Sequence, residues 1–300
     1  MFVVNDKKIC KLFLLLFLSY SFSAQGLTYL FSHGFADTSK QVYRYTKEYP
    51  SWLGKKRNKY YIIDGKVKLF DYPDVICKPL PNIFKTSLGQ ENEIKALKKA
   101  YDEIKDDEIV LIGVSRGASA AAAFAGKYKL KKLKGVVLFS PFDTVSNVFK
   151  HHWFAWALSF MPFVTNKSLY NAFKKFSSYN EKKKSPLDWI SKIDKNIPVS
   201  IICSKTDSTV PYRSTVNLYK KLLESGHKNA YLLCVDSGKH ARLMSSKKAP
   251  IVQNFVHAFY KKYKLHHNKV FANKGSKLLK NSKLSLKKVK DLLKKQAKNK

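Results

Sequence analysis

Short apolar runs alternate with longer amphipathic stretches over residues 27–263 of the chain. The apolar runs have the length and content of buried strands and cover residues 27–32, 60–63, 67–70, 109–112, 135–139, 199–203 and 230–235. Apolar side chains recur at helical spacing over residues 91–104, 216–225 and 251–263. Strands that alternate with helices predict an α/β fold, in which helices flank a mainly parallel sheet with right-handed crossovers. Asp64 and Gly65 predict a hairpin-like turn between the second and third runs.

The stretch EIVLIGVSRGASAAAAFA, residues 108–125, combines a buried strand, a serine between two glycines and a helix of small residues. Gly-x-Ser-x-Gly between a strand and a helix is typical of a nucleophile elbow. In such an elbow Ser115 would adopt a strained conformation, and Gly113 and Gly117 would avoid side-chain collisions. The helix N-terminus would then point N–H groups at developing negative charge. The sequence predicts a catalytic Ser115; the alternative is a glycine-rich turn without chemistry.

Candidate acids and a candidate base follow three other apolar strands. Asp207 follows the strand at 199–203, and His240 follows the strand at 230–235. Parallel strands place such residues together at the C-terminal edge of a sheet, where open α/β sheets build their sites. His240 would accept the proton of Ser115, and Asp207 would orient the imidazole. Asp143, which follows the strand at 135–139, is an alternative acid.

The first strand ends in a His33-Gly34-Phe35 turn, which can present backbone N–H groups at the mouth of a site. An oxyanion hole would use the N–H of Arg116, directly after the nucleophile, and one from this turn, that of Phe35. The side chain of Arg116 is expected to hold a loop by hydrogen bonds, and His33 is expected to be structural.

Four motifs in this order, SHGF, GVSRG, KTDSTVP and SGKHARL, resemble those of the α/β-hydrolase superfamily over residues 27–263. The resemblance implies a serine hydrolase that cleaves an ester, thioester or amide through an acyl-enzyme, without a metal or organic cofactor. The D-x-x-V-P pattern of the third motif favours Asp207 over Asp143 as the acid. Ser204 and Lys239 depart from the family pattern, at positions where many members have small residues or Gly.

Residues 144–196 interrupt the strand–helix pattern with a segment that is rich in aromatic and basic residues. An insert at this point between sheet strands would form a lid over the site. Trp153, Trp156 and Phe160 are therefore candidate substrate-binding residues, and they favour an apolar acyl group, from a small molecule or a lipid. Esterase or lipase activity is thus expected ahead of peptidase or acyltransferase activity. The alternative is that these aromatic side chains are ordinary core.

The first 26 residues have the three parts of a secretory signal: lysines, the apolar run 12–18, and small residues. The sequence therefore predicts an exported protein, periplasmic or secreted, with an uncleaved membrane anchor as the alternative. The four cysteines, at positions 10, 77, 203 and 234, have no metal-site spacing. Cys203 and Cys234 lie in apolar strands and are expected to be buried thiols; a disulfide would require neighbouring strands and is not expected.

The chain carries 57 Lys and Arg against 21 Asp and Glu, a net charge of +36, which favours anionic partners. No nucleic-acid-binding motif accompanies this charge. The Lys-rich tail, residues 264–300, has Asp291 as its only acid and carries Leu286, Val289 and Leu293 at helical spacing. It predicts contact with an anionic membrane or a polyanion. The alternatives are a solvated tail and a general lysine bias. A basic, non-catalytic binding protein on a hydrolase scaffold is the alternative function.

Overall fold

The computed structural model describes residues 26–75, 82–105, 107–151 and 165–298. Its strands are β1 (Leu27–Ser32), β2 (Glu48–Ser51), β3 (Gly54–Arg57), β4 (Lys66–Lys68), β5 (Glu108–Val114), β6 (Leu133–Phe139), β7 (Val199–Ser204) and β8 (Ala230–Val235). Six of them form one sheet in the order β4-β1-β5-β6-β7-β8. Every neighbouring pair in this sheet is parallel. The mainly parallel α/β sheet that the sequence predicts is confirmed.

The α-helices are α1 (Glu91–Asp102), α2 (Arg116–Lys127), α3 (Val145–His151), α4 (Asn166–Phe176), α5 (Pro186–Ile190), α6 (Tyr212–Glu224), α7 (Ala249–Lys262), α8 (Lys269–Asn281) and α9 (Leu286–Lys298). One face of the sheet packs against α1, α2 and α6, and the other packs against α7 and α8. The central strands are thus buried on both faces, which explains their continuous apolar runs.

The small residues of α2 allow the helix to pack closely against its neighbours. Ala118 and Ala120 to Ala123 have no exposed surface. At the end of this helix, a Cβ on Gly126 would overlap the carbonyl of Trp189 in α5. The helix is therefore closely packed along its length. Its N-terminal end follows Ser115, directly after β5.

The segment before α1 differs from the prediction. Residues 60–63 do not form a strand, although Ile62 and Ile63 are fully buried; their N–H groups both donate to the carbonyl of Tyr45. The next strand, β4, pairs parallel with β1, so Asp64 and Gly65 do not close a hairpin. The apolar run serves the core without joining the sheet. The hairpin that exists here, β2–β3, was not predicted, because its side chains lack the alternation of a half-buried strand.

The C-terminal helices belong to the body of the protein. A Cβ on Gly275 would overlap the carbonyl of Asn254, so α8 lies directly against α7. Val289 of α9 is fully buried in the core cluster that includes Tyr219 and Leu222 of α6, and Leu284 and Leu293 pack at its edge. The sequence predicts that the apolar side of the tail contacts a membrane. In the structure, this side instead packs against the core. Among the described residues, no helix is both long enough and apolar enough to span a bilayer.

Cys203 and Cys234 lie opposite each other on β7 and β8, with their Sγ atoms 3.0 Å apart as free thiols. Cys203 is buried and Cys234 is half-buried. The hydrogen bond between the thiols and the burial raise the pKa of Cys203.

Candidate active site

Ser115 lies at the sharp turn between β5 and α2, with φ 55° and ψ −119°. Few residues other than glycine adopt a positive φ, so this backbone is strained. A Cβ on Gly113 would lie 2.5 Å from Cα of Ala118, and a Cβ on Gly117 would overlap the carbonyl of Ser32. The two glycines therefore let the strand, the helix and β1 meet at this turn, as the elbow pattern predicts.

A continuous chain of hydrogen bonds links the three residues that the sequence singled out. Nε2 of His240 lies 2.7 Å from Oγ of Ser115, and Nδ1 of His240 lies 2.8 Å from Oδ2 of Asp207. The other carboxylate oxygen of Asp207 accepts the N–H groups of Thr209 and Val210, each at 2.9 Å. The acid is therefore fixed by its own loop, and it leaves Nε2 of the imidazole free to accept the serine proton.

Asp143 follows β6 at the same edge of the sheet but is fully occupied elsewhere. Its buried carboxylate accepts hydrogen bonds from Oγ of Ser214 and from the side-chain amides of Asn147 and Asn217. These bonds tie β6 to α3 and α6. The structure therefore brings Asp207, and not Asp143, to His240.

The oxyanion turn is held from two sides. The N–H of Gly34 donates to Oε1 of Gln41 at 2.8 Å, and the guanidinium of Arg116 donates to the carbonyl of Gly34 at 3.2 Å. Because the peptide bond is trans, the N–H of Phe35 points opposite to that carbonyl, away from the guanidinium. Phe35 and Arg116 both line the cavity beside Ser115. The structure thus brings the two predicted oxyanion residues to the nucleophile.

The Arg116 side chain is the centre of a buried ionic cluster beneath the site. It pairs with Asp74, lies 4.0 Å from Glu93, and stacks on the ring of Tyr72 with 4.5 Å between Cζ and the ring centroid. Burial, followed by the charge of Arg116, lowers the pKa of His33 to about 4. The imidazole is thus neutral: its Nδ1–H donates to Gly34, and its Nε2 accepts the N–H of Tyr72. The side chains of His33 and Arg116 thus both bond to the Gly34 peptide and hold this turn.

Sequence reasoning missed the residues that support these groups. Asp74, Glu93 and Gln41 lie in unrelated segments, and no motif marks them. Thr206 was also missed: its Oγ1 accepts the N–H of Gly238 at 3.1 Å and so joins the acid loop to the histidine loop. Asp236, another neighbour of the base in sequence, pairs instead with Lys205 at the surface.

An apolar cavity of about 620 Å³ opens beside Ser115 and His240. Phe142 and Val210 line it on the side of the sheet, and the insert contributes Phe149 of α3 and Phe173 of α4. The two helices of the insert therefore wall the site. Trp153, Trp156 and Phe160, the predicted substrate-binding residues, lie outside the described residues.

A second cavity, of about 370 Å³, shares Ser115 and His240 with the first and is polar. It is lined by Asp37 and Arg44, which pair at 3.5 Å, and by the exposed Arg242 after the base. The nucleophile thus lies between an apolar and a charged compartment. Within the described ranges, no group of three His, Cys, Asp or Glu side chains is placed to hold a metal ion.

Comparison with known proteins places this site in a family. The sequence profile of the prolyl oligopeptidase family matches residues 90–266. Among solved structures, the acylaminoacyl peptidase of Pyrococcus horikoshii is similar over 79% of this chain and 37% of its own, at 14% identity and a TM-score of 0.55. An esterase of Pyrococcus furiosus is similar over 80% of this chain and 82% of its own, at 16% identity and a TM-score of 0.54. This chain thus spans little more than a third of the length of the peptidase.

No curated protein matches the chain. The structural similarities show the α/β-hydrolase fold, and the family profile covers more than half of the chain, including Ser115, Asp207 and His240. The chain belongs to the prolyl oligopeptidase family and is a serine hydrolase of the α/β-hydrolase type.

Proposed function

We propose that the protein hydrolyses carboxylic esters with an apolar acyl group, through an acyl-enzyme on Ser115. The hydrogen-bonded series Ser115, His240 and Asp207, which opens onto an apolar cavity, is the observation that carries the proposal. Distances of 2.7 and 2.8 Å between the heavy atoms suit proton transfer from the serine to the imidazole.

The proposed reaction has two halves. His240 removes the proton of Ser115 as Oγ attacks the ester carbonyl, and Asp207 stabilises the imidazolium that forms. The N–H groups of Arg116 and Phe35 stabilise the negative oxygen of the tetrahedral intermediate. His240 then protonates the departing alcohol. In the second half, His240 accepts a proton from water as the water oxygen attacks the acyl carbon. His240 then returns that proton to Oγ of Ser115 as the bond between the acyl carbon and Oγ breaks and the carboxylic acid leaves.

The two compartments support the assignment of substrate. The apolar cavity, with Phe142, Phe149 and Phe173 among its walls, fits an aliphatic or aromatic acyl group. The polar cavity is lined by Asp37, Arg44 and Arg242, whose charged groups suit a polar alcohol. We therefore place the acyl group in the first cavity and a polar alcohol in the second.

Peptidase activity is the second candidate, because the family and one of the similar structures are peptidases. A panel of p-nitrophenyl esters of increasing acyl length, assayed beside aminoacyl p-nitroanilides, separates the two. We expect higher kcat/KM for esters of medium chain length than for any anilide; the reverse order would make the protein a peptidase.

A fluorophosphonate probe tests for catalysis itself. We expect it to label the protein, and we expect labelling to disappear in Ser115→Ala. A folded wild-type protein that resists the probe would support the non-catalytic binding protein instead.

A further inference from the structure

The β2–β3 hairpin presents two large apolar side chains to solvent. Ser51 pairs with Gly54, so Trp52 and Leu53 alone form the turn. They are 87% and 68% exposed. Two-residue hairpin turns favour Asn, Asp and Gly, so neither the turn nor the core accounts for a tryptophan and a leucine here. Adjacent exposed apolar side chains of this size indicate an interaction site.

Unpaired positive charge lies directly beside this tip. Lys55 and Lys56 are exposed, and neither has an ion-pair partner within the described ranges. The next cation, Arg57, is paired with Glu48 across the hairpin at 2.8 Å. The tip therefore combines a tryptophan and a leucine with two free ammonium groups.

The hairpin is held firmly at its base. The side-chain amide of Asn58 donates to the carbonyls of Tyr43 and Thr46, at 2.6 and 2.7 Å. The ring of Tyr49 stacks on that of Tyr43, with 5.9 Å between centroids. Tyr43 belongs to the short 3-10 helix Ser39–Arg44, which contributes Gln41 and Arg44 to the polar cavity. A contact at the tip is thus connected by rigid structure to one wall of the active site.

We propose that this hairpin docks the protein on an anionic phospholipid bilayer: Trp52 and Leu53 enter the interface, and Lys55 and Lys56 contact the headgroups. Tryptophan favours the boundary between headgroups and acyl chains, where its ring is apolar and its N–H stays solvated. Lysine side chains near an anionic surface are attracted to its headgroups. The charge of +36 complements such a surface, and the tail cannot supply the apolar part, since Val289 is buried against α6. The proposal does not depend on the proposed reaction.

Sedimentation with phospholipid vesicles tests the proposal on the full-length protein at physiological salt. We expect more protein to pellet with vesicles that contain phosphatidylglycerol than with pure phosphatidylcholine. Binding to the anionic vesicles should weaken by about tenfold or more in Trp52→Ser/Leu53→Ser and by a smaller factor in Lys55→Gln/Lys56→Gln. The matched control is Val270→Ser, which removes a 58% exposed apolar side chain from α8. It should bind like the wild type.

Brominated acyl chains test insertion separately from charge attraction. They should quench tryptophan fluorescence in the wild type but quench Trp52→Phe much less, while Trp52→Phe still sediments with the vesicles. Equal pelleting of Trp52→Ser/Leu53→Ser and wild type, or equal quenching of wild type and Trp52→Phe, would overturn the proposal. So would equal binding to neutral and anionic vesicles, which would leave the tip as a contact for a protein partner.

Discussion

Ser115, His240 and Asp207 each depend on a local backbone feature that holds a side chain in one orientation. The positive φ of Ser115 exposes its hydroxyl, and the two N–H groups of the acid loop fix the carboxylate of Asp207. Only His240 spans the gap between them. Residues that act as one unit in this way should lose activity together rather than additively.

At the residue scale, we expect Ser115→Ala and His240→Ala each to reduce kcat by on the order of 10³-fold or more without unfolding the protein. The double variant should be little worse than either single one. Asp207→Asn should cost more than Asp143→Asn in kcat/KM, since only the former contacts His240. Kinetics on one soluble ester would measure all five variants. If Asp143→Asn proved the more damaging in kcat at unchanged stability, the acid would have to be reassigned.

Arg116 provides a second prediction at this scale, because its side chain holds the turn that bears Phe35. Arg116→Lys keeps the charge near Asp74 but loses the donor to Gly34, a charge-assisted bond worth about 1.5–3 kcal/mol. We expect kcat to fall by roughly 10- to 100-fold with a small change in KM, since the turn would act on the transition state. Arg57→Lys, in the exposed β2–β3 hairpin, is the control for loss of a guanidinium. A loss of stability with unchanged kcat would assign Arg116 to folding only.

At the scale of elements, the helices α3 and α4 determine the depth of the apolar cavity. Ala172 of α4 lines this cavity beside Phe173, so its replacement by Trp would fill part of the space. We expect Ala172→Trp to lower kcat/KM for medium-chain esters by about tenfold or more and to spare acetyl esters. Asn171→Trp, one position earlier and outside the cavity, is the matched control. An unchanged chain-length profile would show that acyl groups bind elsewhere.

The last helix, α9, acts as part of the core and offers another prediction. Val289→Ala should lower the free energy of unfolding by about 1–3 kcal/mol, because it leaves a cavity against α6. Lys290→Ala, an exposed neighbour, should have an effect within about 0.5 kcal/mol. Urea unfolding would measure both. Ester hydrolysis by the folded variants should be unchanged, as every proposed catalytic residue precedes the tail. Equal stability of the two variants would mean that α9 detaches in solution.

For the whole molecule, two buried neutral histidines predict sensitivity to acid. Burial lowers the pKa of His257 to about 4, and His33 is lowered to the same range. Nδ1 of His257 accepts the N–H of Asn268 at 3.1 Å, a bond that protonation abolishes. The unfolded chain, with a histidine pKa near 6.5, binds more protons between about pH 4 and 6.5. Stability is therefore complete above that range and declines as the pH falls through it.

From pH 7 to pH 5 we expect each of these histidines to remove about 2 kcal/mol from the free energy of unfolding. Urea midpoints measured at several pH values would show the slope. His257→Gln should reduce it, while the contributions of His33 and of His227, whose pKa burial also lowers, remain. An identical slope in wild type and His257→Gln would mean that His257 is accessible to protons in the native state.

Patterns within a few residues were sufficient to predict the strands of the main sheet and the strained turn at Ser115. They also predicted the loops after three strands, which carry Asp143, Asp207 and His240. These features depend on local backbone preference and on burial of continuous apolar runs. Both are determined by residues that are neighbours in the sequence. The connection rules then predict a mainly parallel sheet. Local pattern was insufficient at residues 60–63, where an apolar run fills the core without pairing as a strand.

Tertiary structure alone decided the choices that depend on residues far apart in the chain. The two carboxylates Asp143 and Asp207 follow adjacent strands, and only the packing of α3 and α6 around Asp143 occupies one and leaves the other to His240. The partners of Arg116 come from three separate segments, and no sequence motif relates them. The sequence of the tail predicts a free basic amphipathic helix, yet α6 has an apolar face that buries Val289. A chain's pattern shows which surfaces are apolar, but which of them meet is determined by the complementarity of distant elements.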